Sequence, residues 1–228
     1  PLAEAPVITP ARSAAGVSGR RPVLFVLPGI MGSSLAVRDA TEEVWLSVRR
    51  LALGQITRLR MDQPLSILPT GLLGLAYGDL VEFMDRSHAV LPFPYDWRQS
   101  VRTAAKHLAD EVGRALDLTN AGGHPVRILA HSMGGLVARA MIAERPDLWQ
   151  RVRERGGRLV MLGTPNRGSW EIVRLLVAQA ATLKQLALLD VPHDRQALLA
   201  VIRDFPGVLE LLPEDRRDFL SDAVWRSL

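Results

Sequence analysis

Ser132 lies between small residues at a point where the sequence changes abruptly from a strand pattern to a helix pattern. The stretch VRILAHSMGGLVARAMI, residues 126–142, begins with an aliphatic run and ends with apolar residues at helical spacing, and the letters AHSMG (130–134) stand between them. Ala130 and Gly134 are small enough for strand and helix backbones to approach closely. In a nucleophile elbow, such a turn strains the backbone of the serine and projects its hydroxyl from the end of a sheet. The pattern predicts a nucleophilic serine, and the alternative is a serine that caps the helix.

A second glycine-rich segment, PGIMGSS (28–34), follows an earlier strand-like run. Acyl transfer at a serine places negative charge on an oxygen atom, which two backbone N–H groups can stabilise. One comes from the residue after the nucleophile, here Met133, and the other from the loop after an earlier strand. Gly29 and Gly32 allow this loop to approach a substrate and to turn an N–H inward, and Ile30 is the predicted donor. A helix-capping turn that uses one of the two following serines is the alternative.

Strand and helix signals alternate around these two segments. Short apolar runs typical of buried strands cover residues 22–27, 88–93, 126–129 and 158–163; residues 99–118 have the spacing of an amphipathic helix, and residues 44–60 of one helix or two short ones. Strands separated by helices indicate an α/β fold, with a parallel sheet covered by helices on both faces. We predict a flexible linker over 1–21, a core over 22–168 that carries the serine turn, and a helical cap over 169–228.

The composition argues against several classes of function. The chain has no cysteine, so a disulfide framework, a thiol nucleophile and a thiolate metal site are excluded. Its net charge is only +4 and its arginines are spread along the chain, so no nucleic-acid partner is expected, although a transient contact with an anionic membrane surface stays open.

The chain carries no predicted targeting or membrane-spanning segment. The N-terminus lacks the charged start and the continuous apolar run of a signal peptide. The most apolar long stretch, residues 172–189, is interrupted by Arg174 and Lys184. We therefore expect a soluble domain of unknown compartment. Because the chain begins without methionine, we expect a processed start or a segment of a longer polypeptide.

Five motifs together resemble the lecithin:cholesterol acyltransferase-like branch of the α/β-hydrolase superfamily. They are LFVLPGIMGSSL (24–35), Trp45, PYDWR (94–98), AHSMGGLVAR (130–139) and LGTPNRGS (162–169), and they keep the family's order from about 22 to about 213. PYDWR together with the serine turn is fairly specific, whereas GTPNRGS also occurs in other lipases. The resemblance implies an α/β-hydrolase fold with a cap, and acyl transfer or hydrolysis of lipid esters through an acyl-serine. It also implies that Ile30 and Met133 shape an oxyanion hole.

The chain departs from this resemblance at the partners of the serine. In this fold the acid and then the histidine follow the serine along the chain, and His193 is the only histidine downstream. Its neighbours predict a turn entering a cap helix, which favours a surface histidine with a structural role. His131 adjoins the serine but faces the wrong way to take its proton, and His88, His107 and His124 lie upstream. We therefore expect the acid and the histidine from the remainder of a longer polypeptide, after C-terminal strands that this segment lacks.

These observations predict a serine lipase, phospholipase or O-acyltransferase in which Ser132 attacks an ester carbonyl. No metal or organic cofactor is implied, because proton transfer and oxyanion stabilisation suffice. A lipase-like binding or scaffold module without catalysis, and an esterase for small soluble esters, are the alternatives. Asp96 and Arg98 of PYDWR are expected to buttress a strand end, and the apolar loop 66–77 is expected to be core rather than a lipid-facing lid.

Overall fold

Two four-stranded sheets and ten α-helices organise the part of the chain that the structure describes. The structure is a computed structural model, and it describes residues 6–9, 21–38, 42–119, 123–214, 219 and 221–226. The strands are β1 (Val7–Ile8), β2 (Val23–Leu27), β3 (Ser33–Val37), β4 (Glu43–Trp45), β5 (Ile67–Leu73), β6 (Ala89–Pro92), β7 (Val126–His131) and β8 (Leu159–Leu162). The helices are α1 (Val48–Ala52), α2 (Gly74–Asp85), α3 (Val101–Leu118), α4 (Met133–Glu144), α5 (Pro146–Glu154), α6 (Trp170–Leu176), α7 (Ala181–Leu189), α8 (Arg195–Ile202), α9 (Pro206–Leu209) and α10 (Asp222–Arg226), with a 3₁₀ helix over Gln55–Leu59.

The central sheet has the strand order β6-β2-β7-β8, and all its pairings are parallel. All five residues of β2 are buried, because the two faces of this strand serve two different cores. Phe25 and its same-face neighbours pack in the main core with α3 and α4. Leu24 and Val26 pack in a smaller core with Tyr77 of α2. The predicted parallel sheet with helices on both faces is confirmed, and its continuous apolar strands are what a two-sided burial requires.

Helix α3 shows how local sequence and packing agree in this layer. Its apolar residues recur every three to four positions, and the face they form is buried against the sheet and α4. Ser100 caps the helix, since its hydroxyl accepts a hydrogen bond from the Arg102 N–H at 3.2 Å. The helix begins at Val101, two residues later than predicted.

A second sheet, with the order β1-β5-β3-β4 and antiparallel pairings, was not predicted. The apolar segment 66–77 is not a loop, because it forms β5 and the start of α2. Its buried Leu72 and Tyr77 agree with the expected core role. Val7 and Ile8, which the sequence places in a linker, instead pair with Leu73 and Leu72 as β1. The rest of that linker, residues 1–5 and 10–20, lies outside the described residues.

Helices α6 to α10 are the regular elements among the described residues after Gly168. Leu183 of α7, Leu198 of α8 and Phe205 are fully buried and belong to the same core as the central sheet, so the helical region packs into that core. Among the described residues, no single helix is long and apolar enough to cross a membrane. The pair α6 and α7 passes that test only when taken together, with a bend of 47° between them.

The PYDWR segment follows β6 and is fastened by a buried ion pair. The Arg98 guanidinium donates from Nε to Asp96 Oδ1 at 2.8 Å and from NH2 to Asp96 Oδ2 at 2.6 Å. Its NH1 donates to the carbonyl of Leu59, at the end of the 3₁₀ helix, at 2.8 Å. Arg98 is only 4% exposed. These contacts agree with the expected buttressing role of the pair.

We expect Arg98→Gln to lower the free energy of unfolding by about 3–5 kcal/mol, because it leaves the Asp96 carboxylate buried and without its charged partner. Urea denaturation measures this loss. The chain offers a matched control in Arg145 and Asp147, which form the same two-bond pair at the same spacing with side chains 47% and 63% exposed. Arg145→Gln should change stability little, since water solvates the remaining carboxylate. Equal losses in the two variants would contradict the buttressing role.

Candidate active site

Ser132 occupies the turn between β7 and α4, where the central sheet meets the following helix. Its backbone angles are φ 51° and ψ −124°, a conformation that residues with a side chain rarely adopt. The Ser132 N–H donates to the carbonyl of Leu162, the last residue of β8, at 2.8 Å. Within the described part of the chain, its hydroxyl makes no capping hydrogen bond to α4. The turn therefore has the strained strand-to-helix backbone that a nucleophile elbow requires, and the Ser132 side chain does not cap α4.

The strained turn is possible because the residues around it are small. Ala130 is fully buried. A Cβ on Gly134 would lie 2.5 Å from the carbonyl oxygen of Pro28 and 3.0 Å from Leu27 Cβ. Gly135, which the sequence analysis did not single out, faces Thr164 so closely that a Cβ would overlap its side chain. Helix α4 thus starts in contact with the end of β2, as Gly134 led us to expect.

The glycine-rich loop after β2 faces Ser132. The Gly32 N–H donates to the Gly29 carbonyl at 3.1 Å, which closes a turn in which Met31 has a positive φ of 62°. A Cβ on Gly29 would lie 3.4 Å from the Ser132 hydroxyl oxygen. Across the described ranges, the N–H of Ile30 has no hydrogen-bond acceptor in the protein. The structure therefore brings Gly29 beside Ser132, and Ile30 and Gly32 belong to the same loop.

Met133 begins α4 directly after the serine. First-turn N–H groups of a helix have no partner within the helix, and the Met133 N–H has none elsewhere in the described residues. Its side chain is fully buried. The two N–H groups predicted as oxyanion donors thus belong to separate segments: Met133 follows the serine directly, and Ile30 follows Gly29 in the loop.

The serines after this loop form β3 rather than cap a helix. Ser33 Oγ accepts a hydrogen bond from the Tyr95 N–H at 3.0 Å. Ser34 Oγ donates to the Trp45 carbonyl at 2.8 Å. The helix-capping alternative for this segment is therefore wrong, because both hydroxyls join strands and loops instead.

Two tyrosines contact the loop. The Tyr95 hydroxyl donates to the Pro28 carbonyl at 2.8 Å, and the Gly29 N–H donates to the Tyr77 hydroxyl at 2.8 Å. Burial raises the pKa of Tyr95 well above its usual range, and the nearby Tyr77 raises it further. Burial also raises the pKa of Tyr77, against an opposing effect of the Gly29 N–H. Both hydroxyls therefore keep their protons at neutral pH.

Two tryptophans hold the other side of the loop. Trp45 Nε1–H donates to the Met31 carbonyl at 2.8 Å, and Trp97 Nε1–H donates to the Ser33 carbonyl at 3.2 Å. The two rings pack edge to face, 5.4 Å apart. Sequence reasoning assigned no site role to these aromatic residues. Trp45 and PYDWR were part of the family resemblance, whereas nothing in the sequence pointed to Tyr77.

All five histidines lie in the described ranges, and none hydrogen-bonds to Ser132. His131 Nδ1 lies 2.9 Å from the Tyr77 hydroxyl. His193 Nδ1 lies 2.9 Å from Oδ1 of the buried Asp190, in the loop between α7 and α8. This contact agrees with a structural role for His193. Within the described ranges, no histidine is therefore placed to act as a general base on the Ser132 hydroxyl.

The described residues also offer no obvious metal site. Within their ranges, no three side chains of histidine, cysteine, aspartate or glutamate converge closely enough to hold a metal ion.

Comparisons with known proteins agree with this architecture. A sequence model of the family described as "Lecithin:cholesterol acyltransferase" matches residues 78–228, which is more than half of the chain. No curated protein sequence matches.

Two solved structures are similar to this fold. A chain in the crystal structure of the Tle4-Tli4 complex aligns with a TM-score of 0.62 and 19% identity, over 85% of this chain and 54% of that one. The mature form of the Bacillus licheniformis lipase BlEst2 aligns with a TM-score of 0.42 and 13% identity, over 89% of this chain and 67% of that one. The present chain thus spans about half the length of the chain that it matches in the complex.

Proposed function

This chain belongs to the lecithin:cholesterol acyltransferase family, and on that premise we propose that it acts on lipid esters as a serine lipase, phospholipase or O-acyltransferase. One observation carries the proposal above all: a serine in a strained turn faces a glycine-rich loop whose Ile30 N–H has no acceptor in the described residues. A serine that served only the fold would have no need of a strained backbone or of free donors around its hydroxyl.

In the proposed reaction, the Ser132 oxygen attacks the ester carbonyl and forms a tetrahedral intermediate. The N–H groups of Ile30 and Met133 stabilise the negative charge on its oxygen. A general base takes the serine proton and returns it to the departing alcohol, which leaves an acyl-serine. Water or a second alcohol then attacks the acyl group, which gives hydrolysis or acyl transfer.

We expect a fluorophosphonate probe to label the full-length protein, and Ser132→Ala to abolish both labelling and ester hydrolysis. Mass spectrometry of the labelled peptide and turnover of a phospholipid measure the two effects. Ser100→Ala is a suitable control, because Ser100 caps α3 with an ordinary hydrogen bond. That variant should be labelled like the wild type. Undiminished labelling of Ser132→Ala would show that another serine carries the chemistry.

The oxyanion donors can be tested through Gly32, since a backbone N–H cannot be removed by changing its own side chain. A Cβ at Gly32 would lie 2.9 Å from both Pro28 Cβ and the Tyr77 hydroxyl, so Gly32→Val must displace the loop. We expect kcat to fall by about 10²-fold or more, comparable to the loss of one oxyanion donor. Circular dichroism should show an intact fold.

Gly78→Val is the matched control, because a Cβ at Gly78 meets nothing within 4 Å. Gly78 lies in α2, so this variant tests whether replacing a glycine by valine lowers turnover when the added side chain meets no other atom. Its kcat should stay near the wild-type value. Unchanged turnover in Gly32→Val would remove the loop from the proposed mechanism.

We further propose that the acid and the histidine come from polypeptide outside residues 1–228. Among the described residues, none of the five histidines hydrogen-bonds to Ser132. In addition, β8 lies at one edge of the central sheet with Val160, Met161 and Leu162 exposed by 49%, 40% and 42%. Apolar side chains on an edge strand are a surface that proteins usually cover. This edge is where further sheet strands bearing the missing groups would pair.

Residues 1–228 expressed alone should therefore hydrolyse p-nitrophenyl butyrate barely above background. Loss of triad members typically lowers kcat by roughly 10⁴- to 10⁶-fold and leaves only oxyanion and binding effects. In the full-length protein, His193→Gln should leave turnover unchanged. Strong hydrolysis by residues 1–228 that disappears in Ser132→Ala would overturn this proposal and would make His193 the base to examine.

A binding or scaffold module without catalysis is the second proposal, favoured by the absence of a base near Ser132 in the described residues. The fluorophosphonate experiment separates the two functions. A full-length protein that binds phospholipid vesicles but shows no Ser132-dependent labelling or turnover would be a binding module.

A further inference from the structure

Both tyrosines of the chain hydrogen-bond to one and the same peptide unit, the one that joins Pro28 to Gly29. Tyr95 donates to its carbonyl oxygen, and Tyr77 accepts from its N–H, each at 2.8 Å. The carbonyl and the N–H of a trans peptide point in opposite directions within one plane. Two partners at opposite edges therefore prevent that plane from rotating.

The orientation of the next peptide unit follows from this one. The unit that joins Gly29 to Ile30 has its carbonyl held by the Gly32 N–H at 3.1 Å. Its own N–H is that of Ile30, the proposed oxyanion donor. Glycine has no side chain to limit its backbone rotation, so Gly29 alone would leave this N–H free to swing. Three hydrogen bonds on two successive peptide units remove that freedom.

Tyr77 also joins the loop to the serine turn. Because its oxygen accepts from the Gly29 N–H, its hydroxyl proton is free to be donated to His131 Nδ1, 2.9 Å away. The two rings also pack edge to face, with centroids 5.9 Å apart. His131 is the residue directly before Ser132. One side chain therefore contacts both the segment that carries the oxyanion donor and the segment that carries the nucleophile.

We propose that Tyr77 is a positioning residue that holds the Ile30 N–H in register with Ser132, and that Tyr95 fixes the opposite edge of the same peptide unit. This inference rests on the proposed function of Ser132 as a nucleophile. It assigns Tyr77 an effect on the transition state rather than on substrate binding, since the developing oxyanion is what the aligned donor stabilises.

Tyr77→Phe tests the proposal, because it keeps the ring and removes only the hydroxyl. In the full-length protein we expect kcat for p-nitrophenyl butyrate to fall by about 10- to 100-fold, the range that follows from misplacing a catalytic group by up to about 1 Å. KM should stay within about 2-fold, since the lost alignment matters only in the transition state.

Tyr95→Phe should lower kcat similarly, and the double variant should lose less than the product of the two single losses. Side chains that act through one shared group give non-additive effects. Losses that multiply fully would mean that the two tyrosines act independently, and would contradict the shared peptide unit.

Thr119→Val is the control for a merely structural role. Its hydroxyl is fully buried and donates to the Ala115 carbonyl at 2.8 Å, at the end of α3. This variant should lower the urea midpoint while leaving kcat unchanged. If Tyr77→Phe behaves in the same way, with lower stability and wild-type kcat, Tyr77 does not position the donor.

Hydrogen exchange at the Gly29 amide tests the contact independently of catalysis. Exchange should be faster in Tyr77→Phe and Tyr95→Phe than in the wild type, and unchanged in Thr119→Val. If the wild-type protein shows no Ser132-dependent turnover, the proposed function is refuted. The exchange rates would still test the hydrogen bond between the Gly29 N–H and the Tyr77 hydroxyl. Unchanged protection of Gly29 in Tyr77→Phe would refute the positioning role even in an active enzyme.

Discussion

The carbonyl of Pro28 stands against the first turn of α4, in the space that a side chain on Gly134 would need. This backbone contact brings the loop after β2 and the turn after β7 to one point at the edge of the central sheet. A side chain at Gly134 would push the two segments apart. The surrounding contacts would then no longer hold Ser132 in its strained backbone conformation. A strained backbone conformation is stable only where the surrounding contacts prevent the residue from relaxing to a lower-energy one. The parallel pairing of β2 with β7 and the small residues Ala130 and Gly134 provide that constraint.

A loop built from glycines has no side chains with which to fix itself, and its peptide groups must find partners elsewhere. Here the partners are the polar atoms of four aromatic side chains, Tyr77, Tyr95, Trp45 and Trp97. The secondary-structure elements around the site place these four aromatic side chains next to the loop. The antiparallel sheet brings Trp45 at the end of β4 and leads through β5 into α2, which carries Tyr77. The PYDWR segment after β6 brings the other two, and the Arg98–Asp96 ion pair fastens that segment to the 3₁₀ helix.

The sequence allowed prediction of the parts of this site that depend on local pattern. Continuous apolar runs predicted the parallel strands, and small residues around Ser132 predicted the turn, because both signals lie within a few positions of one another. The antiparallel sheet was missed because its strands have no clear alternation: β3 begins with two serines, and β5 contains Pro69 and Gly71. The contact between Tyr77 and Gly29 joins residues 48 positions apart. No local pattern shows which distant hydroxyl will meet a given N–H, so Tyr77 could be found only in the folded chain.

Catalysis by a serine nucleophile has two separate requirements, which are stabilisation of the oxyanion and transfer of the serine proton. In the proposed mechanism, stabilising an oxyanion needs rigid donors, and the loop that carries the Ile30 N–H is held by buried hydrogen bonds. Moving a proton needs a general base at the serine, and no histidine of the described residues hydrogen-bonds to Ser132. Oxyanion and binding effects alone leave a rate roughly 10³- to 10⁴-fold above that in water when triad members are removed. In the proposed reaction, a base must therefore reach Ser132 from another segment. The exposed strand β8 lies directly beside the serine, since its last residue, Leu162, accepts the hydrogen bond of the Ser132 N–H.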